Sequence, residues 1–489
     1  MKRLSTTIGL TALLLSGCVN LDPAYHRPAA AIPQTWPTGP AYAPAAASDT
    51  TVAAVGWRDF FADPKLKAVI DLALANNRDL RLAVANVIAA RADYGVQRSS
   101  LFPSIHAGAD GSYQQVPLST LGETSATGQP ITQVKGHPYV YEKGYSANIG
   151  VSSYELDLFG RVQSLSRSAL NQYFATEDAR AAAQITLVAE VAADYLTLGS
   201  DRALLKVAQD TAASGRDSLA LTQKQFEAGI ASELDVRQAQ TTIEQAKADI
   251  ARYTTAVAQD RNALELVVGA PVSDDLLPDD VEDQVTLLSD LPAGLNSSVL
   301  LSRPDVVEAE HQLKAQSGQI GAARAAFFPS ISLTGSGGVS SNALSQLFTG
   351  ASKAWSFSPS VSLPLFTGGL NLADLRHAKA EQQVSLAQYD KAVQTAFREV
   401  SDALAQRGTI DAQLAAEQAL VDAAADSLRL SQARYERGAD SYLSVLTAQV
   451  TLYNARQGLI AVRLTRASNL VTLYKVLGGG LDGTGAAKG

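Results

Sequence analysis

A single cysteine in 489 residues leaves no partner for a disulfide and no cysteine-based metal site. Methionine is equally scarce, Met1 standing alone. The 40 Lys and Arg against 48 Asp and Glu give a net charge of −8, with no basic tract of the kind that grips a phosphate backbone. Nucleic acid is therefore excluded as a partner. No run of 18 apolar residues occurs, which excludes a spanning helix. The five histidines (His26, His106, His137, His311, His377) lie far apart, none with a His or Cys neighbour at ligand spacing. No glycine-rich loop follows a strand in a βαβ setting, and no Ser–His–Asp order can be read. No catalytic residue, no metal and no cofactor is expected, so the chain reads as a protein that is not an enzyme.

What the chain does have is alternation. In Trp355 to Phe366, WSFSPSVSLPLF, the residues Trp355, Phe357, Val361, Leu363 and Leu365 fall on one face of an extended strand. Ser356, Ser358, Ser360 and Ser362 fall on the other, the period of two that a strand imposes. Three further segments repeat it. Ile105, Ala107, Ala109 and Tyr113 oppose His106, Asp110, Ser112 and Gln114; Tyr145, Ala147, Ile149 and Val151 oppose Ser146, Asn148 and Ser152. Ile331, Leu333 and Val339 oppose Ser330, Ser332, Thr334, Ser336 and Ser340. Each segment is long enough to cross a bilayer when tilted. Four strands cannot close a barrel, and open edges are not tolerated in hydrocarbon, so copies of the chain would have to pool them. A half-exposed soluble sheet shows the same alternation; the remaining segments decide between the two.

The start reads as a secretory signal over 1–17: basic Lys2-Arg3, a short apolar core from Ile8 to Leu15, then small residues. Leu15-Ser16-Gly17-Cys18 resembles the bacterial lipoprotein signal, in which Cys18 becomes the acylated first residue of the mature chain. Val19 in place of aspartate then favours delivery to the outer membrane. Residues 18–56 are rich in Pro and Ala and form an extended tether, since prolines forbid a helix.

Beyond this tether the chain runs through the same plan twice. The first repeat, 57–270, holds a helix over 65–100 with a break at Asn76-Asn77, strands over 104–116 and 144–157, and helices over 159–228 and 232–269. Residues 271–300 form an acidic linker. The second repeat, 301–478, holds a helix over 304–326, strands over 330–340 and 354–366, and helices over 369–437 and 441–477. Residues 479–489 are a tail. The duplication shows in the residues: Leu101-Phe102-Pro103-Ser104-Ile105 returns as Phe327-Phe328-Pro329-Ser330-Ile331, and 217–240 returns as 426–449. Gly229 and Gly438, Ser232 and Ser441, Leu234 and Leu443, and Gln240 and Gln449 are among its identical pairs. Gly229 suits a helix C-terminus, and Ser232 followed by Asp235 matches a capping box. Helices near 65 residues run roughly 100 Å at 1.5 Å per residue, which points to a coiled-coil-like tube.

The sequence resembles the outer membrane factors, the TolC-like channels of tripartite efflux and secretion systems, and most closely their lipoprotein (NodT-type) branch serving resistance–nodulation–division pumps. The motifs that carry the likeness are Trp57 to Pro64 (WRDFFADP), Ser153 to Arg161 (SYELDLFGR), Ser302 to Glu310 (SRPDVVEAE) and Ile320 to Gly335 (IGAARAAFFPSISLTG). Leu363 to Gly369 (LPLFTGG) and Leu473 to Gly480 (LYKVLGGG) complete the set. The resemblance implies an α+β membrane protein built as a homotrimer. Each chain gives four strands to a twelve-stranded transmembrane β-barrel and long helices to a periplasmic α-helical barrel. It implies a passive exit channel in the outer membrane, lipid-anchored through Cys18, exporting small toxic compounds. The partners would be a periplasmic adaptor (membrane fusion) protein docked near Gly229 and Gly438, an inner-membrane resistance–nodulation–division transporter, and outer-membrane lipid. The positions matching the periplasmic gate are Asp235, Tyr435, Asp440, Tyr442, Leu443, Ser444 and Thr447. Relatives often carry aspartates at Ser444 and Thr447, so a carboxylate ring is absent and Leu443 is expected to form an apolar plug. Arg434 or Arg437 is expected to pair with Asp235 or Asp440. Two other readings stand beside this one, an exit duct for type I protein secretion and a non-channel coiled-coil structural lipoprotein.

Overall fold

A computed structural model describes residues 20–42, 56–117, 139–279 and 296–480. The signal segment 1–17, Cys18, most of the loop between the first two strands, much of the acidic linker and nearly all of the tail lie outside the described residues. The chain divides into two compact units, each drawing segments from both halves of the sequence. One comprises 1–26, 90–173 and 312–385; the other comprises 27–89, 174–311 and 386–489.

Proline, asparagine and glycine set the element boundaries. Asp63 caps α1 (Pro64–Asn76), its side chain accepting from the Lys65 amide at 2.7 Å, with Pro64 in the first turn where no amide is needed. Asn77 ends α1 and starts α2 (Arg78–Ser99), accepting from the Leu80 amide at 2.7 Å. The helix expected over 65–100 with a break at Asn76-Asn77 is observed as two helices parted at Asn77. Pro103 follows α2, and the chain enters β1 (Ile105–Pro117). β2 (Tyr139–Leu156) leads into α3 (Arg161–Glu227), a turn, and α4 (Glu233–Val268). After the linker the order returns: α5 (Pro304–Ala325), β3 (Ser330–Ser341), β4 (Lys353–Ser362), α6 (Leu370–Glu436) and α7 (Tyr442–Val476).

The first unit is organised by one antiparallel sheet in the order β1-β2-β3-β4. β2 begins five residues before the expected 144, because Tyr139 to Lys143 pair with Pro117 to Tyr113 and extend the hairpin. β4 stops at Ser362, short of the expected 366. Pro364 offers no amide, so Leu363 to Phe366 leave the ladder. Pro359, inside β4, is tolerated because β4 is an edge strand. In the same unit the N-terminal segment is held down by its own side chains. Arg167 Nε donates to Asp22 Oδ2 at 2.7 Å and Arg324 donates to the Leu21 carbonyl at 2.8 Å. Gly321 makes room for this, since a Cβ there would sit 1.8 Å from Asp22 Oδ1.

The second unit holds the main hydrophobic core. Trp57, Phe60, Phe61, Leu66 and Ile70 pack with Val188, Val191, Leu198, Leu264 and Tyr474, all at most 3% exposed. Phe60 lies 4.9 Å from Phe61 edge-on and 4.8 Å from Tyr474. Burying rings of this size stabilises the fold by about 1.5–3 kcal/mol each. An ionic knot around the buried Arg303 closes a second core. Arg303, 7% exposed, donates to the Val476 carbonyl at 2.6 Å, to Asp305 at 2.7 Å and to Glu399 at 3.0 Å. It ties the start of α5 to α6 and to the end of α7. Burial of this kind is tolerated because every charge has a partner.

Candidate channel wall and gate

Register assigns every strand residue to a face. The pairs Ala107↔Ile149, Ile149↔Gly337 and Gly337↔Trp355 place four odd-numbered residues in one row. That face carries Ile105, Ala107, Ala109, Tyr113, Tyr141, Ala147, Ile149 and Val151, then Ile331, Leu333 and Val339, then Trp355, Phe357 and Val361. The opposite face carries His106, Asp110, Gln114, Glu142 and Asn148 with a field of hydroxyls, Ser330, Ser332, Thr334, Ser336, Ser340, Ser356, Ser358, Ser360 and Ser362. Ser336 and Ser356 share a hydrogen bond at 2.9 Å across two strands of this field. Trp355 is 83% exposed, Ile105 69% and Val361 67%, so these residues of the greasy face have no cover among the described residues.

One device here escapes a sequence reading. Between Val151 and Tyr154 the register slips by one residue, and Ser153 adopts φ 52°. This bulge returns Tyr154 and Leu156 to the apolar face and sends Glu155 to the polar one. Without it the last turn of β2 would carry its side chains inverted. The signal was present as Ser152-Ser153 inside an otherwise alternating run, but two small polar residues do not announce a bulge.

The expected gate residues belong to the second unit, at two helix-turn-helix tips. Both tips close with the same backbone bonds, offset by 209 positions. Gly229 donates to the Phe226 carbonyl at 2.9 Å and Ile230 to that of Gln225 at 2.8 Å; Gly438 donates to Tyr435 at 2.9 Å and Ala439 to Arg434 at 2.9 Å. The glycines sit at φ 73° and 72° with open space around them, as a left-handed helix end requires. The side chains then diverge. In the first tip Ser232 and Asp235 form a capping box, the Ser232 amide donating to Asp235 Oδ2 at 2.8 Å. In the second, Ser444 stands where Asp235 stands and the Ser441 side chain makes no cap bond. A bidentate pair replaces it, Arg434 donating to the two Asp440 oxygens at 2.6 and 2.8 Å. Arg434 holds the Asp440 carboxyl below the usual carboxylate range.

The remaining positions expected at the gate separate into two groups. Tyr435 and Tyr442 face inward: their rings are 5.4 Å apart, Tyr442 is 2% exposed, and Tyr435 OH donates to Gln225 Oε1 of α3. Burial raises the Tyr442 hydroxyl to about 12, so it stays protonated. Leu443 and Thr447 face outward with Val450, spaced along one stripe of α7. Leu443 is 54% exposed, and Thr447 Oγ1 spends its hydrogen bond on the Leu443 carbonyl at 2.9 Å. The stripe is thus less polar than its sequence suggests. Ser444 is half-buried beside it. Deeper along the hairpins, Asp249, 5% exposed, accepts from Tyr453 OH of α7 at 2.8 Å. Among the described residues no group of His, Cys, Asp or Glu is arranged to hold a metal ion.

A two-faced sheet whose edges are unpaired among the described residues, together with helices of 67 residues, suits a class of outer-membrane channel components, and the chain belongs to it. It is a member of the outer membrane efflux protein family, whose pattern it matches over 69–270 and 295–479. It is similar to the probable efflux pump outer membrane protein TtgC of Pseudomonas putida, 45% identical over 482 residues, 98% of this chain and 96% of the relative. A relative of the same identity and coverage from another Pseudomonas putida strain is named a toluene efflux pump outer membrane protein. Outer membrane protein OprJ of Pseudomonas aeruginosa is 39% identical over 97% of this chain and 96% of its own length. Among solved structures, a membrane protein from Pseudomonas aeruginosa superposes with a TM-score of 0.85 at 39% identity, covering 95% of this chain and 98% of that one. The MtrE outer membrane channel of Neisseria gonorrhoeae in its open state gives 0.80 at 38% identity, over 94% and 98%.

Proposed function

We propose that the chain is the outer-membrane exit channel of a tripartite efflux pump and works as a passive, water-filled conduit. Three copies pool their strands into a twelve-stranded barrel, and the two halves of each chain arise from a tandem duplication. The observation that carries this is the sheet itself: one greasy face, one hydroxyl face, and open edges at β1 and β4. Hydrocarbon covers the first face, water fills the second, and only neighbouring copies can satisfy the edges. Oligomerisation also accounts for α2, in which no residue is buried although Leu82, Ile88 and Val96 are apolar.

In this reading the helices reach into the periplasm, and the Gly229 and Gly438 tips meet a periplasmic adaptor. An inner-membrane resistance–nodulation–division transporter supplies the energy. The Leu443 and Thr447 stripes of three chains close the resting mouth, and adaptor engagement shifts the population toward an open helix arrangement. Acyl chains on Cys18 anchor the chain in the outer membrane. The cargo is a class of small toxic compounds, in line with the relative named for toluene efflux. Conductance of the purified protein in planar bilayers tests the reading. Discrete channel openings from a species three times the chain mass are expected; a monomer or a species that passes no current overturns it.

A further inference from the structure

The greasy face of the sheet is uneven in charge along its length. Among the described strand residues it carries two charged side chains, Lys143 and Lys353, and no carboxylate; Asp110, Glu142 and Glu155 all fall on the opposite face. Both lysines lie toward the hairpin ends of their strands, where β1 turns into β2 and β3 into β4. The other end of the same face, where the strands meet α2 and α3, carries Ile105, Tyr154, Leu156, Ile331 and Val361 without a charge.

Lys143 is also set among rings. Lys143 Nζ stands 5.3 Å from the centre of the Tyr113 ring, which stacks on Tyr141 at 5.5 Å, and Tyr141 meets Tyr139 edge-on at 5.8 Å. Lys353 is exposed and precedes Trp355 by one strand repeat on the same face. Aromatic rings of this kind sit at the boundary between hydrocarbon and headgroups, where a lysine stem lies in the apolar layer and its ammonium reaches polar groups. A lysine needing only water could stand at either end of the face. Confinement of both to one end of the face, with no carboxylate on that face among the described strand residues, matches an anionic leaflet on that side.

The geometry points to a binding surface for phosphate-bearing lipid headgroups of the outer leaflet, made by Lys143 and Lys353 with Tyr113 and Tyr141. This rests on the channel reading, which puts the hairpin ends outside the cell. The ammonium groups pair with phosphate as point charges, and the tyrosine rings hold the stems at headgroup depth.

The test uses the full chain reconstituted in phosphatidylcholine vesicles containing either bis-phosphorylated lipid A or its dephosphorylated form. Flotation reports insertion, and native mass spectrometry counts the glycolipid retained on release. Wild type is expected to retain the phosphorylated form roughly tenfold better than the dephosphorylated one. Lys143→Gln with Lys353→Gln is expected to float normally and lose the preference, and Lys143→Arg with Lys353→Arg to keep it. Equal retention of both lipids by wild type, or a preference surviving the double glutamine variant, overturns the inference. Failure of wild type to float would instead overturn the channel reading beneath it.

Discussion

The tips show how identical backbones accept different side chains. Residues 225–230 and 434–439 make the same turn, yet a capping box secures one and an Arg434–Asp440 ion pair the other. Because Arg434 lowers the Asp440 value, the pair contributes above the ordinary carboxylate range and is lost only as pH falls through that lowered value. Leu443 and Thr447 are the outward side chains of this tip. Leu443→Ala with Thr447→Ala is expected to raise the resting conductance in planar bilayers and increase drug susceptibility of cells expressing it. Unchanged conductance would remove them from the constriction. A second residue-scale prediction concerns Asp260 of α4, whose carboxyl feels that of Asp201 on α3 and whose Oδ2 is buried. Burial first, then the charges of Asp201 and Asp194, raise it to about 6. An acid raised on folding keeps its proton in the fold, so its contribution is present below the usual value near 4 and lost as pH climbs through about 6. Asp260→Asn should therefore flatten the thermal stability profile over that window and stabilise the protein at neutral pH by about 1 kcal/mol, solvent screening much of the nominal shift. An unaltered pH profile would show that the pair does not share a proton.

At the scale of elements, alternation and punctuation were legible and register was not. Ser356 to Ser362 against Trp355, Phe357 and Val361 marks β4 without any structure, because period two has no other common source. Gly229 and Ser232 mark the tip for the same kind of reason, each residue type answering one backbone demand. The Tyr139 to Lys143 start of β2 was missed, although Tyr139-Val140-Tyr141 has strong strand propensity, because Gly, Thr and Ser upstream made the whole segment read as loop. The Ser153 bulge was invisible, and so was the inward turn of Tyr435 and Tyr442, since both depend on partners distant in sequence. Register also yields a prediction. The polar face carries Asp110, Glu142 and Glu155 and no Lys or Arg among the described strand residues. If that face lines the conduit, the channel should favour cations. Asp110→Asn with Glu142→Gln should shift the reversal potential in a salt gradient toward zero, whereas an unmoved potential would place these residues outside the ion path.

For the whole molecule, one physical problem orders everything else. Long helices of small residues can bury themselves against each other in water, but a four-stranded sheet whose greasy face and two edges stand uncovered among the described residues is poorly suited to it. Serine-rich alternation is costly in a soluble core and well suited to a wall between lipid and water. Thiol accessibility along β4 in vesicles containing the full chain tests this most directly. With single cysteines at Trp355, Ser356, Phe357, Ser358, Ser360 and Val361, a water-soluble thiol reagent should modify positions 356, 358 and 360 and spare 355, 357 and 361. Uniform labelling of all six, or protection of the serine positions, would contradict a sheet with hydrocarbon on one side and water on the other.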